Sequence, residues 1–175
     1  MKYLGIILVL IIIFVVYLYN KLINLNMRCK NAYAQIDNQL KRRRDLIPNL
    51  VEITKGYMKC EAESLVKIVE KRGESISEVA ANALETSKAV NNILALSESY
   101  PDLKASELFK NLQIELTGTE DKIAFARQFY NDCVQMFNTS LEAFPSNLVG
   151  KLLNYKQKEY FSVSEEDKKV VDIKL

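Results

Sequence analysis

Residues 22–53 read LINLNMRCKNAYAQIDNQLKRRRDLIPNLVEI, and the apolar positions in this stretch decide the architecture. Leu22, Leu25, Cys29, Tyr33, Ile36 and Leu40, then Ile47, Leu50 and Ile53, recur in steps of three and four. That is the period of one face of an α-helix. Pro48 lies inside the run, yet the stripe resumes in phase and continues through Tyr57, Leu65 and Ile68. The spacing therefore predicts one kinked helix rather than two, stopping near Gly73 with Glu74, Ser75 and Ser77 as a polar connection.

Towards the N-terminus, residues 3–19 read YLGIILVLIIIFVVYLY, with no charge in seventeen positions. As a helix they extend ~25 Å, slightly less than a ~30 Å hydrocarbon layer, and Leu22, Ile23 and Leu25 lengthen the apolar path. Tyr3 at one end and Tyr17 with Tyr19 at the other suit interfacial anchoring. The run is long for the core of a signal peptide, and no small-residue cleavage site follows it. An uncleaved, single-pass anchor is expected over residues 1–20.

The flanks give the expected orientation. Lys21, Arg28, Lys30 and the block Lys41 to Arg44 follow the anchor, with Asp37 the one acid among them. Only Lys2 and the amino terminus precede it. By the positive-inside rule the N-terminus lies outside the cell membrane and the C-terminal domain is cytoplasmic. Three scattered Cys (Cys29, Cys60 and Cys133) read as reduced thiols, in keeping with a reducing compartment.

Towards the C-terminus the helical pattern continues. A second helix is expected over about residues 78–97, with Val79, Ala83, Val90 and Leu94 on one face and a small-residue face of Ala80, Ala81 and Ala95. Tyr100-Pro101-Asp102 is turn chemistry. A third helix should start near Leu103 and carry Leu108, Phe109, Leu112, Leu116, Ile123, Tyr130, Val134, Phe137 and Leu141, up to Phe144-Pro145. A short fourth helix, about residues 146–156, precedes Tyr160-Phe161 and a charged tail. The expected fold is all-α: the anchor, then an up-and-down four-helix bundle of three long helices and one short over residues 21–161, then a tail over 162–175.

Composition removes much chemistry. Among 175 residues there is no His, which excludes Ser-His-Asp and Cys-His machinery, His-ligated zinc or haem, and Glu-x-x-His di-iron sites. No Gly-rich phosphate loop, G-x-S-x-G elbow or Cys-x-x-Cys is present. No catalytic residue, cofactor or metal is expected. Residues 21–44 carry net +6 and residues 45–175 net −5, so the basic character is confined to one short stretch and nucleic acid is not an expected partner. Asn138-Thr139-Ser140 matches a glycosylation sequon, but it falls within a helix on the expected cytoplasmic side.

Two constellations remain. Lys21, Arg28 and Lys30 are close enough to the anchor to contact anionic lipid headgroups, each worth ~1 kcal/mol near the surface. Arg42 to Arg44 lie ~35 Å along the helix from Tyr19, beyond electrostatic reach of the bilayer. The second constellation is polar: Arg43 or Arg44 occupies the apolar stripe between Leu40 and Ile47, and Glu120 and Arg127 flank Ile123 on one face of the third helix. Facing helices would join these with Asp37, Asp45 and Asn49 in a charge-paired network. Its expected role is structural, fixing helix register.

The chain also resembles the LemA family of membrane-anchored bacterial helical proteins. The resemblance rests on NAYAQIDNQLKRRRDLIPNLV at 31–51 and SESYPDLKASELFKNLQIELTGTEDKIAFARQFYN at 97–131, with Phe144-Pro145 and Tyr160-Phe161 completing it. The tail departs from the family pattern, reading KKVVDIKL without a Pro before the final apolar pair. The resemblance implies an N-terminal anchor and a four-helix cytoplasmic bundle; it does not imply an established enzymatic activity. The expectation is a non-enzymatic, membrane-tethered scaffold that self-associates or docks other membrane proteins. The alternative is an anchored sensor or adaptor that binds a ligand or another membrane protein through the bundle.

Overall fold

The computed structural model describes residues 2–55 and 75–162. The expected end of the first helix near Gly73, the stripe through Tyr57, Leu65 and Ile68, Cys60 and the charged tail all lie outside the described residues. The described residues form five helices: α1 (Lys2–Lys55), α2 (Ile76–Ser97), α3 (Pro101–Ala105), α4 (Glu107–Glu142) and α5 (Ser146–Leu152). Among the described residues there is no strand, and the chain is all-α with a long apolar N-terminal helix.

Helix boundaries follow local chemistry. α1 runs through Pro48 without ending. α2 begins two residues before its expected start, because Ser75 caps it: Ser75 Oγ accepts from Glu78 N–H (3.2 Å) and Glu78 Oε2 from Ser75 N–H (3.3 Å). This capping box is written in the sequence as Ser75-Ile76-Ser77-Glu78. The expected third helix is split, since Ser106 is extended and separates α3, with Pro101 at its first turn, from α4. α5 is shorter than expected. It ends at Leu152 because Asn154 takes a left-handed conformation (φ 53°), with Tyr155 N–H bonded to Gly150 O (3.0 Å). Asn tolerates that conformation better than most residues and terminates helices for this reason.

The chain divides into two compact units, and α1 and α4 contribute to both. The first comprises residues 1–35 and 126–160. Leu18, Leu22 and Val149 form a buried cluster there, with Leu141, Leu153 and Tyr155 packed against it. Cys29, Ala32, Tyr130, Cys133, Val134 and Phe137 are also buried. Tyr33 meets Tyr130 edge to face at 5.7 Å between ring centroids, and Phe137 meets Tyr155 similarly at 5.6 Å.

The second unit contains residues 36–125. Ile47, Leu50 and Val51 of α1, Val90 and Ile93 of α2, Leu103 of α3, and Phe109, Leu112 and Leu116 of α4 form its core. Buried hydroxyls of Thr54, Thr86, Ser97 and Thr119 donate to carbonyls three or four residues back on their own helices, so their burial leaves no lost hydrogen bond.

Candidate functional site

Among the described residues of the second unit, Arg43 is the one charged residue driven fully inside, at 3% exposure. Its place between Leu40 and Ile47 on the apolar stripe of α1 forces the guanidinium inwards. Arg44, one residue on, is half-buried. Arg43 Nη1 donates to Glu120 Oε1 of α4 (2.9 Å) and to Ser87 Oγ of α2 (2.7 Å), while Nη2 donates to the Ala83 carbonyl (3.1 Å). Ser87 Oγ in turn donates to Glu120 Oε2 (2.8 Å). Three helices are thus joined at one buried cation. Arg43 Nε and Gln39 Oε1 are buried without a hydrogen-bond partner among the described residues.

The structure brings Arg43 and Glu120 together and adds Ser87 and Ala83, which the sequence reading did not single out. No sequence signal marks Ser87: it is one of several Ser on α2, selected only by facing Arg43. Asp37, Asp45 and Asn49 are exposed, which corrects the expectation that they join a buried network. Asp37 lies one residue past buried Ile36, Asp45 two past Arg43 and Asn49 two past Ile47. At ~100° per residue, these offsets turn all three away from the core. Arg127 is half-buried and belongs to the first unit.

A solvent-facing cleft of about 490 Å³ lies between α1 and α4 in the second unit. Leu46, Ile53, Leu108 and Leu112 supply its apolar surface, and Asn49, Glu52, Asn111 and Glu115 its polar margin. Leu108, expected in the core, is 71% exposed here. It neighbours Phe109, which took the inward position.

The first unit carries the apolar N-terminal stretch of α1. Every residue from Tyr3 to Tyr17 is exposed, around the whole circumference of α1. A helix that is apolar on all sides and has no protein cover is built for hydrocarbon. The first buried residue is Leu18, which joins the core with Leu22. Lys21, Arg28 and Lys30 are all exposed. Beyond α5 the chain returns along α4, held by both ends of the Asn138 amide: Nδ2 donates to the Lys158 carbonyl and Oδ1 accepts from Lys158 N–H, both at 2.9 Å. Asn138, met in the sequence only as part of a sequon, is therefore a buried structural clasp. Tyr130 Oη donates to the Glu159 carbonyl (3.0 Å), and burial pushes its phenol up to about 12. Burial also raises the thiols of Cys29 and Cys133 above the ordinary value.

Comparison with known proteins agrees with this architecture. The LemA family profile matches residues 32–175. Protein LemA of Metamycoplasma hominis is 30% identical over 159 residues, covering 87% of this chain and 73% of that protein. Magnetosome protein MamQ 2 of Paramagnetospirillum magneticum and magnetosome protein MamQ of Magnetospirillum gryphiswaldense are 22% and 19% identical over 174 residues. In each case the match covers 82% of this chain and 64% of the relative. None of these proteins carries the name of an enzyme. The match over most of the chain, together with the apolar N-terminal helix and the helical core behind it, assigns the family: the chain belongs to the LemA family.

Proposed function

We propose that this protein is a non-enzymatic, membrane-tethered scaffold that works by self-association or by docking other membrane proteins. Residues 1–20 anchor it in the cell membrane, with the N-terminus outside and the domain beyond in the cytoplasm. Lys21, Arg28 and Lys30 meet lipid headgroups. The observation that carries the reading is the α1–α4 cleft, where Leu108 is exposed over half-buried Leu46 and Ile53, beside Glu52 and Glu115. Apolar area left in water by a folded unit is characteristic of interaction surfaces. Tethering to one plane raises the effective concentration of copies, so a modest cleft is enough for association. The acidic margin suits a basic partner segment, and the exposed Lys41 and Arg42 of a second copy have that charge. Copies anchored at one depth have to tilt to make this contact, so a tight parallel coiled coil is not expected.

Light scattering and crosslinking of the full-length protein, in mild detergent and in nanodiscs, should show multiples of the 20.1 kDa protomer. Leu108→Glu should return the protein to monomer. A clean monomer for the parent chain in both media, together with no cross-linked partner in membranes, defeats the proposal.

A second reading, an anchored sensor, draws on the buried Arg43 network, whose unpartnered Arg43 Nε and Gln39 Oε1 offer one donor and one acceptor to a ligand. Arg43→Lys would then abolish cellular function while leaving thermal stability near the parent value.

A further inference from the structure

Helix α5 is apolar on two faces, and only one of them is used. Val149 and Gly150 turn inwards, onto Leu18, Leu22 and Leu141. Gly150 sits so close that an added Cβ would stand 2.6 Å from Leu141 Cδ2 and 4.0 Å from Leu22 Cδ1. On the other side Leu148 and Leu152, four residues apart and hence one above the other, are 58% and 81% exposed. Phe144, in the turn that joins α4 to α5, is 80% exposed. Leu148 and Leu152 thus form an outward row on α5, and Phe144 and Lys151 are exposed as well.

The level of this row along α1 identifies what covers it. In the first unit α1 and α4 run antiparallel: Tyr33 faces Tyr130, and Leu22 lies in one cluster with Leu141. Both steps are eleven residues, so the register is constant. Beyond Leu141 the chain turns, and Val149 of α5 packs in the same cluster as Leu18, next to Tyr19 at the end of the uncharged run. The row therefore lies at the level along α1 where the uncharged apolar surface gives way to Asn20 and Lys21.

We propose that the α5 corner, through Phe144, Leu148 and Leu152, is a second membrane contact that beds into the headgroup–acyl boundary beside the emerging anchor, with Lys151 and Lys21 directed to anionic headgroups. Short amphipathic elements of this kind bury their apolar side ~5–10 Å below the headgroups. Phe and Leu supply the apolar contact, and Lys places its stem among the chains while its ammonium stays in water. The contact fixes the bundle against the bilayer, so that the domain does not swivel freely on a single helix. The inference rests on the reading of residues 3–19 as a membrane anchor.

The protein contains no Trp, so single Trp substitutions report without background. Full-length Phe144→Trp and Leu152→Trp are placed in vesicles of phosphatidylcholine and phosphatidylglycerol, with bromine on the acyl chains near the headgroup or near the chain end. Leu10→Trp serves as the anchor reference and Met136→Trp, exposed on α4, as the water reference. Phe144→Trp and Leu152→Trp should emit to the blue of Met136→Trp and lose most of their intensity to the shallow bromines, less to the deep ones. If Leu10→Trp is quenched while the two α5 probes behave like Met136→Trp, the second contact is refuted and the anchor stands. Blue emission at the α5 probes with no bromine effect means that protein covers the row, which also overturns the proposal. Should Leu10→Trp itself escape quenching, the anchor reading falls and this inference with it.

Discussion

Arg43 Nη1 and Glu120 Oε1 stand 2.9 Å apart although 77 residues separate them in the chain, and Ser87 Oγ accepts from Arg43 Nη1 and donates to Glu120 Oε2. The arginine is almost completely buried, while the Glu120 side chain keeps 26% of its exposure. The pair is thus half solvated from the acidic side and dry from the basic side. A buried pair of this kind adds little net stability, whereas removing one partner strands the other and is strongly destabilising.

Arg43→Ala should destabilise the fold by ~3 kcal/mol, the lower part of the range for breaking a buried pair, because water still reaches Glu120. The paired change Arg43→Met with Glu120→Leu should recover most of that loss, since neither charge then remains in the interior. Urea unfolding followed by circular dichroism measures both. Equal destabilisation by the single and double variants would show that the charges themselves stabilise the fold.

Alkaline pH should weaken the first unit through Tyr130. Its phenol titrates near 12 in the folded protein against 10.0 when unperturbed, so the native state holds the proton more tightly than the unfolded chain. That stabilisation is fully present below pH 10 and is lost as pH rises from there through 12. Tyr130→Phe should flatten this part of the stability profile, at the cost of the hydrogen bond to Glu159. A parent and variant with parallel profiles in this window would contradict the assignment.

Cys29 and Cys133 should resist thiol reagents in the native protein. Both are buried and burial holds both thiols in the protonated form, whereas the thiolate is the reactive species. In a Cys60→Ser background, labelling followed by mass spectrometry should show neither modified until denaturant is added. Rapid labelling of either in native conditions would mean that the first unit opens locally.

Ser75→Ala should cost about 1 kcal/mol through loss of the capping box that starts α2. Ser75→Asp should be close to neutral, because Asp caps as well as Ser and favours the helix N-terminus electrostatically. Thermal melts of the two variants separate a capping role from an incidental surface position.

Most of the helical architecture was legible in the sequence because it is written in local periodicity. The stripe from Leu22 to Ile53 specifies a helix and its inward face without reference to any partner, and α1 buries Leu22, Cys29, Ile36, Leu40, Ile47 and Leu50 along it. The uncharged run of residues 3–19 is equally self-contained, since length and apolarity alone suit it to hydrocarbon. Tertiary structure decided everything that depends on what lies opposite. The pattern allowed Arg43 or Arg44 inside, and packing against Ser87 and Glu120 selected Arg43. Periodicity marked Leu108 and Phe109 alike as apolar, and only the core of the second unit admitted Phe109 and left Leu108 in the cleft. Around α5 both faces are apolar in the sequence. Contact with Leu18 and Leu22, more than a hundred residues away along the chain, determined which face closes the core and which is left for the membrane surface.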